Sequence, residues 1–149
     1  MLVMKIRQAN IDDLETVSIL FNKYRIFYEK ESDLKGTKNF IKNRIENEES
    51  IIFIAEYGEV IAGFVQIYPT FSSVSMKKAY ILNDLFVDEK FRRNNLGESL
   101  INEVFKYAVS KDAKYVTLET SIGNINAQKL YEKMNMKIDN SVFHYIKKL

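Results

Sequence analysis

The sequence predicts a domain in which helices pack against a β-sheet, an α/β or α+β fold, and three observations carry that expectation. Its 149 residues, 46% hydrophobic and 13% aromatic, suffice for one ordinary core, so a single domain over 1–149 is expected. A β-branched and aromatic run at residues 80–87 gives way to Leu96, Leu100 and Val104, where strand period becomes helix period. Two apolar runs, 51–57 and 60–68, meet at Gly58-Glu59, a connection suited to a primed hairpin turn.

In chain order, residues 3–7 predict an edge strand. Asn10 is an N-cap for a helix whose apolar positions Ile11, Leu14, Val17, Phe21 and Tyr24 keep a three/four spacing to about Phe27. The polar patch 29–36 ends it, and Thr37 offers the cap of a second helix through Phe40, Ile41 and Ile45. After the hairpin, Pro69 is expected to stop pairing, with a serine-rich loop over 70–78. The central helix starts at Leu96. A turn at 111–114, a strand over 115–120, a short helix over 126–134 and a last strand over 142–146 complete the chain.

Composition removes several functions. A net charge of +2 is too small to announce a nucleic-acid binder, which ranks last among the readings, and the absence of cysteine excludes an acyl-cysteine route and cysteine-ligated metal. The single His144 leaves no basis for a zinc site and reads as structural. The N-terminus is charged too early for a signal peptide and no apolar run spans a bilayer, so a cytoplasmic protein without membrane or nucleic-acid partners is expected.

The strand, basic turn and helix at 80–105 have a chemical reading. The first N–H groups of a helix lack internal partners and sit at its positive end, so a turn holding Arg92 and Arg93 before Leu96 suits a phosphorylated cofactor. The alternative is an ordinary strand-to-helix connection with surface arginines. Val87, Phe91, Arg92, Asn95, Leu96 and Gly97 resemble the Arg-x-x-Gly-x-Gly/Ala pyrophosphate loop of the GNAT superfamily of N-acetyltransferases. Residues 124–136, with Asn124, Ala127, Leu130 and Tyr131, resemble its Asn-x-x-Ala-x-x-Leu-Tyr block. Asn95 and Asn135 stand where the family has glycine, and asparagine best replaces glycine at positive φ.

This resemblance implies a mixed, mainly antiparallel central sheet flanked by helices, and acetyl-CoA as cofactor. It assigns the pyrophosphate to Arg92, Arg93 and the N–H groups of Asn94, Asn95, Leu96, Gly97, Glu98 and Ser99. The pantetheine falls to the backbone of Leu85, Phe86 and Val87, with the Leu85 N–H polarising the thioester carbonyl. Tyr131 becomes the acid for the leaving thiolate, the alternative being an aromatic that packs beside Leu130. Asn124 contacts the cofactor arm or only caps its helix.

The central strand is similar to that of diamine (spermidine/spermine) acetyltransferases, but Asn83 replaces their general-base glutamate. Asp84 then acts through a water, binds a cationic amine, or merely caps a backbone group. The pattern around Gly63 and residues 68–73 also resembles a fungal branch acting on histones, polyamines or D-amino acids. Tyr28, Glu29, Asp33, Tyr68, Phe71, Asn83 and Asp84 are the candidates around an acceptor. A small primary amine is the leading acceptor, a polyamine or amino acid. A protein lysine or N-terminus, or a non-catalytic coenzyme A module, are the alternatives, and related enzymes suggest a homodimer.

Overall fold

The computed structural model describes residues 3–149, which divide into two compact units, one reaching Glu119 and one spanning Thr120–Leu149. In the first unit β1 (Met4–Gln8), α1 (Leu14–Phe27), α2 (Leu34–Glu46), β2 (Ile51–Tyr57), β3 (Val60–Ser72), β4 (Lys77–Val87), α3 (Leu96–Ser110) and β5 (Val116–Thr117) follow in order. The sheet runs β1-β2-β3-β4-β5, antiparallel except for the parallel β4–β5 pair. The mixed, mainly antiparallel sheet flanked by helices is therefore present. The second unit contains α4 (Ile125–Lys133).

Local chemistry sets most boundaries. Asn10 closes a capping box with Asp13 at the short 3₁₀ turn before α1. Gly58, at φ 58°, carries the only positive φ of the β2–β3 connection, the type II′ arrangement that matches strand twist.

Three expectations fail on boundaries. Asp33, not Thr37, caps α2 by accepting from the Gly36 N–H at 2.9 Å, and Thr37 is buried inside the helix. β3 continues past Pro69 to Ser72, so the loop expected over 70–78 shrinks to the turn between Ser72 and Lys77. Tyr80, opposite Pro69, directs its N–H to the Tyr115 carbonyl and away from β3. Pro69 thus sits in a non-hydrogen-bonded pair, its missing donor on the side where β2 has already ended at Ile51↔Ile67. The strand expected over 142–146 is not among the strands of the described residues.

The sheet of the first unit lies between helices. Leu14, Val17, Leu20 and Phe21 of α1 and Ile41 of α2 join Ile52, Ile54, Phe64 and Phe86 in one core. On the other face α3 buries Leu96, Leu100, Ile101, Val104 and Ala108, and its Tyr107 ring meets Phe53 and Tyr80. Arg7 ties β1 to this frame with two bonds to Asp13, at 2.7 and 2.9 Å, and one to Glu56 at 3.0 Å. Its guanidinium holds the Asp13 carboxyl below the usual carboxylate range. A depressed folded-state pKa stabilises above the unfolded value and is lost as pH falls through the folded one. Denaturation midpoints should therefore drop below about pH 4, and Asp13→Asn should flatten that part of the profile.

All four α-helices close with the paired bonds of a Schellman motif on a non-glycine residue: Glu29, Glu48, Asp112 and Asn135, each at positive φ. The side chain costs roughly 1 kcal/mol in that region. Glu48→Gly, remote from β4, should raise stability by about 0.5–1 kcal/mol in urea titration.

Candidate active site

The site is built on the end of β4. Gln66 pairs with Asp84 and Ile67 with Leu82, so Asn83 is an extra residue in the ladder, a β-bulge that bends the strand. Beyond it, the Asp88 N–H bonds back to the Ala62 carbonyl at 2.8 Å. By the alternation of a ladder, Leu85 and Val87 point their N–H groups away from β3. Pairing of β4 with β5 stops at Ile81↔Thr117, so β5 does not occupy them. The Val87 carbonyl is taken by Arg92 Nε at 3.1 Å. Arg92 thus fastens the turn to the strand while its guanidinium lies over the Phe27 and Phe86 rings, at 5.4 and 5.7 Å.

The turn that follows is held open at the start of α3. Burial pushes the Asp88 carboxyl up, but the Lys90 N–H and the Lys23 ammonium outweigh it and hold it low. Arg93 and Asn95 take positive φ, 70° and 59°, as the glycine-like role of Asn95 requires. Asn95 makes no side-chain cap, and the first helical bond runs from the Ser99 N–H to its carbonyl at 3.1 Å. The N–H groups of Leu96, Gly97 and Glu98 precede that bond at the positive end of the dipole. An uncapped helix start beside exposed Arg93, with outward N–H groups on Leu85 and Val87, fits the diphosphate and amide-bearing arm of coenzyme A. Gly63 is needed beneath: a Cβ there would stand 2.9 Å from the Phe86 carbonyl oxygen. Gly63→Ala should cost about 1–3 kcal/mol in stability and raise the KM for acetyl-CoA by displacing Phe86 and Val87.

Within the same unit a cavity of about 510 Å³ opens between α1, α2 and the sheet. Phe21, Tyr24, Tyr28 and Phe40 supply aromatic walls, and Tyr68, Asn83 and Asp84 the floor. The floor is a polar network built around two buried residues, Gln66 and Asp84. Fully buried Gln66 donates to Asp84 Oδ2 at 2.8 Å and to the Tyr68 hydroxyl at 3.2 Å, and accepts from Ser50 Oγ at 2.8 Å. The Asn83 amide adds a second bond to Asp84 Oδ2 at 3.1 Å, and neither bond uses Oδ1. Burial, reinforced by Asp84, pushes the Tyr68 phenol up to about 12, so it stays protonated across the physiological range.

The structure brings Tyr28, Tyr68, Asn83 and Asp84 together, with Asp33 at the cavity wall. It does not bring in Glu29 or Phe71. Glu29 holds the left-handed residue after α1, and Phe71, 71% exposed, lies on the stretch of β3 beyond β2. Asn124 caps α4 by accepting from the Ala127 N–H at 3.3 Å, and Tyr131 lies within α4; both belong to the second unit. Arg25, Lys30 and Gln66 were not foreseen. Only Gln66 left a trace, a lone amide in the apolar run 60–68.

The sequence profile described as the Acetyltransferase (GNAT) family matches residues 15–136. The chain belongs to this family. A GNAT relative, the uncharacterized N-acetyltransferase YhfO of Bacillus subtilis, is 47% identical over 142 residues, covering 95% of each chain. Human N-alpha-acetyltransferase 30 is 34% identical over 101 residues, 68% of this chain but 28% of that one. The crystal structure of a probable acetyltransferase superposes with a TM-score of 0.93 at 34% identity, covering 97% of both chains. The protein is thus an N-acetyltransferase of the GNAT fold and family, which draws its acetyl group from acetyl-CoA. No helix among the described residues is long and apolar enough to cross a membrane.

Proposed function

We propose that this GNAT enzyme acetylates the primary amine of a small molecule held in the cavity that ends at Asp84. The observation that carries the reading is the adjacency of that floor to Leu85, whose outward N–H follows Asp84 in the bulged strand. A cavity of about 510 Å³ also suits a small ligand. When bound, acetyl-CoA supplies a thioester carbonyl as electrophile.

In this reading Asp84 Oδ1 receives the ammonium and takes, directly or through water, the proton that the nitrogen sheds before attack. An alkylammonium has a pKa of about 10.4, so this removal is a large part of the barrier near neutrality. The Leu85 N–H stabilises the developing oxyanion, a contribution of roughly 10²–10³ in rate for a well-placed donor. By its place in the motif, Tyr131 would hold a phenolic proton for the thiolate of coenzyme A. Tyr131 and Asn124 enter on their motif alone. The N–H groups of residues 94–98, with Arg93 and the turn held by Arg92, grip the diphosphate; that of Ser99, expected among them, is already used by the Asn95 carbonyl.

Tyr131→Phe should lower kcat by about 10-fold or more with little change in coenzyme A affinity; unchanged kcat with chemistry rate-limiting would remove it from the role. A protein N-terminus as acceptor is the second reading, motivated by the human relative's name. Release of free thiol from acetyl-CoA with small amines and with peptides separates the two. Turnover confined to peptides would defeat the small-molecule reading.

A further inference from the structure

Resting on the small-amine cavity just described, we infer that the acceptor also carries a carboxylate, so that the substrate is an amino-carboxylate spanning from Asp84 to Arg25 and Lys30. Four charged residues line the cavity: Asp84 on the sheet floor, Arg25 near the end of α1, and Lys30 and Asp33 in the segment leading to α2. Asp33 is already compensated. Its carboxylate caps α2, accepting from the Gly36 N–H at 2.9 Å, so close that a Cβ on Gly36 would meet Oδ2 at 2.3 Å.

The two cations are not compensated in this way. Arg25 Nη1 donates to the Glu31 carbonyl at 3.0 Å, and neither Arg25 nor Lys30 forms an ion pair among the described residues. Glu29 and Glu31, their acidic neighbours in sequence, do not line the cavity. The pair is also fixed by the backbone. Lys30 N–H bonds to the Arg25 carbonyl at 3.0 Å and Glu29 N–H to that of Ile26 at 2.9 Å, the Schellman closure that sets Lys30 over the last turn of α1.

Phe21, Tyr24, Tyr28 and Phe40 line the same cavity and supply a wall for hydrocarbon. An ammonium at Asp84, an alkyl spacer and an anion at Arg25 and Lys30 match the uncompensated charges and the apolar walls of this lining. A diamine instead sets its second ammonium against two cations, so the polyamine class is selected against.

The test uses the full chain, acetyl-CoA and three families of matched chain length: ω-aminocarboxylates from β-alanine to 6-aminohexanoate, alkylamines and α,ω-diamines. Free-thiol release should give the best aminocarboxylate a kcat/KM about tenfold or more above its alkylamine, with the diamine below both. Lys30→Gln and the double variant Arg25→Gln/Lys30→Gln should lower kcat/KM for the aminocarboxylate more than for the alkylamine, chiefly through KM. Arg25→Lys should retain part of the preference that the double variant loses. Equal rates in all three families, or preference for diamines, would overturn the inference. Calorimetric binding of the same probes separates it from the function on which it rests. Aminocarboxylate binding that depends on Arg25 and Lys30, without turnover, would support the inference and refute small-amine acetylation. No binding of any probe by a protein that still binds acetyl-CoA would overturn both.

Discussion

Asp84→Asn should lower kcat/KM for the amine by about 10²–10³-fold, with thermal stability and coenzyme A affinity close to wild type. The fold tolerates the change because an asparagine oxygen can still accept from Gln66 and Asn83 while its amide faces the cavity. On the proposed function, what disappears is the charge that receives the ammonium and the group that can take its proton. Because kcat and KM both depend on that charge, both should move. Wild-type kinetics in this variant would reduce Asp84 to a sheet-stabilising carboxylate. Replacing Gln66 by leucine is the complementary experiment, since it strips a bond from Asp84 while leaving the carboxylate in place.

Phe64→Ala should destabilise the protein by about 3–5 kcal/mol, the usual cost of emptying a fully buried aromatic site. Phe64 stacks on Phe21 at 5.1 Å and meets Tyr24 edge-on at 5.7 Å, with Phe86 at 6.3 Å. It therefore couples α1, which carries Tyr24 and Arg25, to β4, which carries Asp84. Against a typical stability of 5–15 kcal/mol, the loss should show as a large fall in the urea midpoint with little change in slope. A shift below about 1 kcal/mol would mean that the cluster repacks and does not set the spacing of cavity wall and floor. Phe64→Leu, which keeps most of the volume, should cost less and preserve more activity.

The sequence disclosed the parts of the fold that follow from short-range chemistry. The change of period at Leu96, the Gly58-Glu59 turn and the asparagines at positive φ are decided by residues within a few positions of one another. Pro69 misled because its cost depends on whether a second strand lies on its N–H side, and β2 ends before reaching it. Thr37 misled because Asp33, three residues before Gly36, is the better cap and Gly36 leaves room for it.

Of the residues that line the cavity, Asp84 and Asn83 were picked out by the strand motif, Tyr28 by its place at the end of the first helix and Tyr68 by the pattern of residues 68–73. Glu29 is not among the residues that line the cavity, and its backbone ends α1 in the left-handed region. Arg25 and Lys30 carry no local signal, since charges at a helix C-terminus are ordinary. Only the return of the sheet beneath α1 puts them in a cavity with Asp84.

The central claim is that α3 and β4 aim a thioester at the cavity floor, and a crystal structure with acetyl-CoA bound tests it most directly. The diphosphate should lie on the N–H groups at the start of α3, before Ser99, beside Arg93, with the thioester carbonyl against the Leu85 N–H and the acetyl carbon facing Asp84. A diphosphate bound elsewhere, or an acetyl group turned away from Asp84, would contradict it.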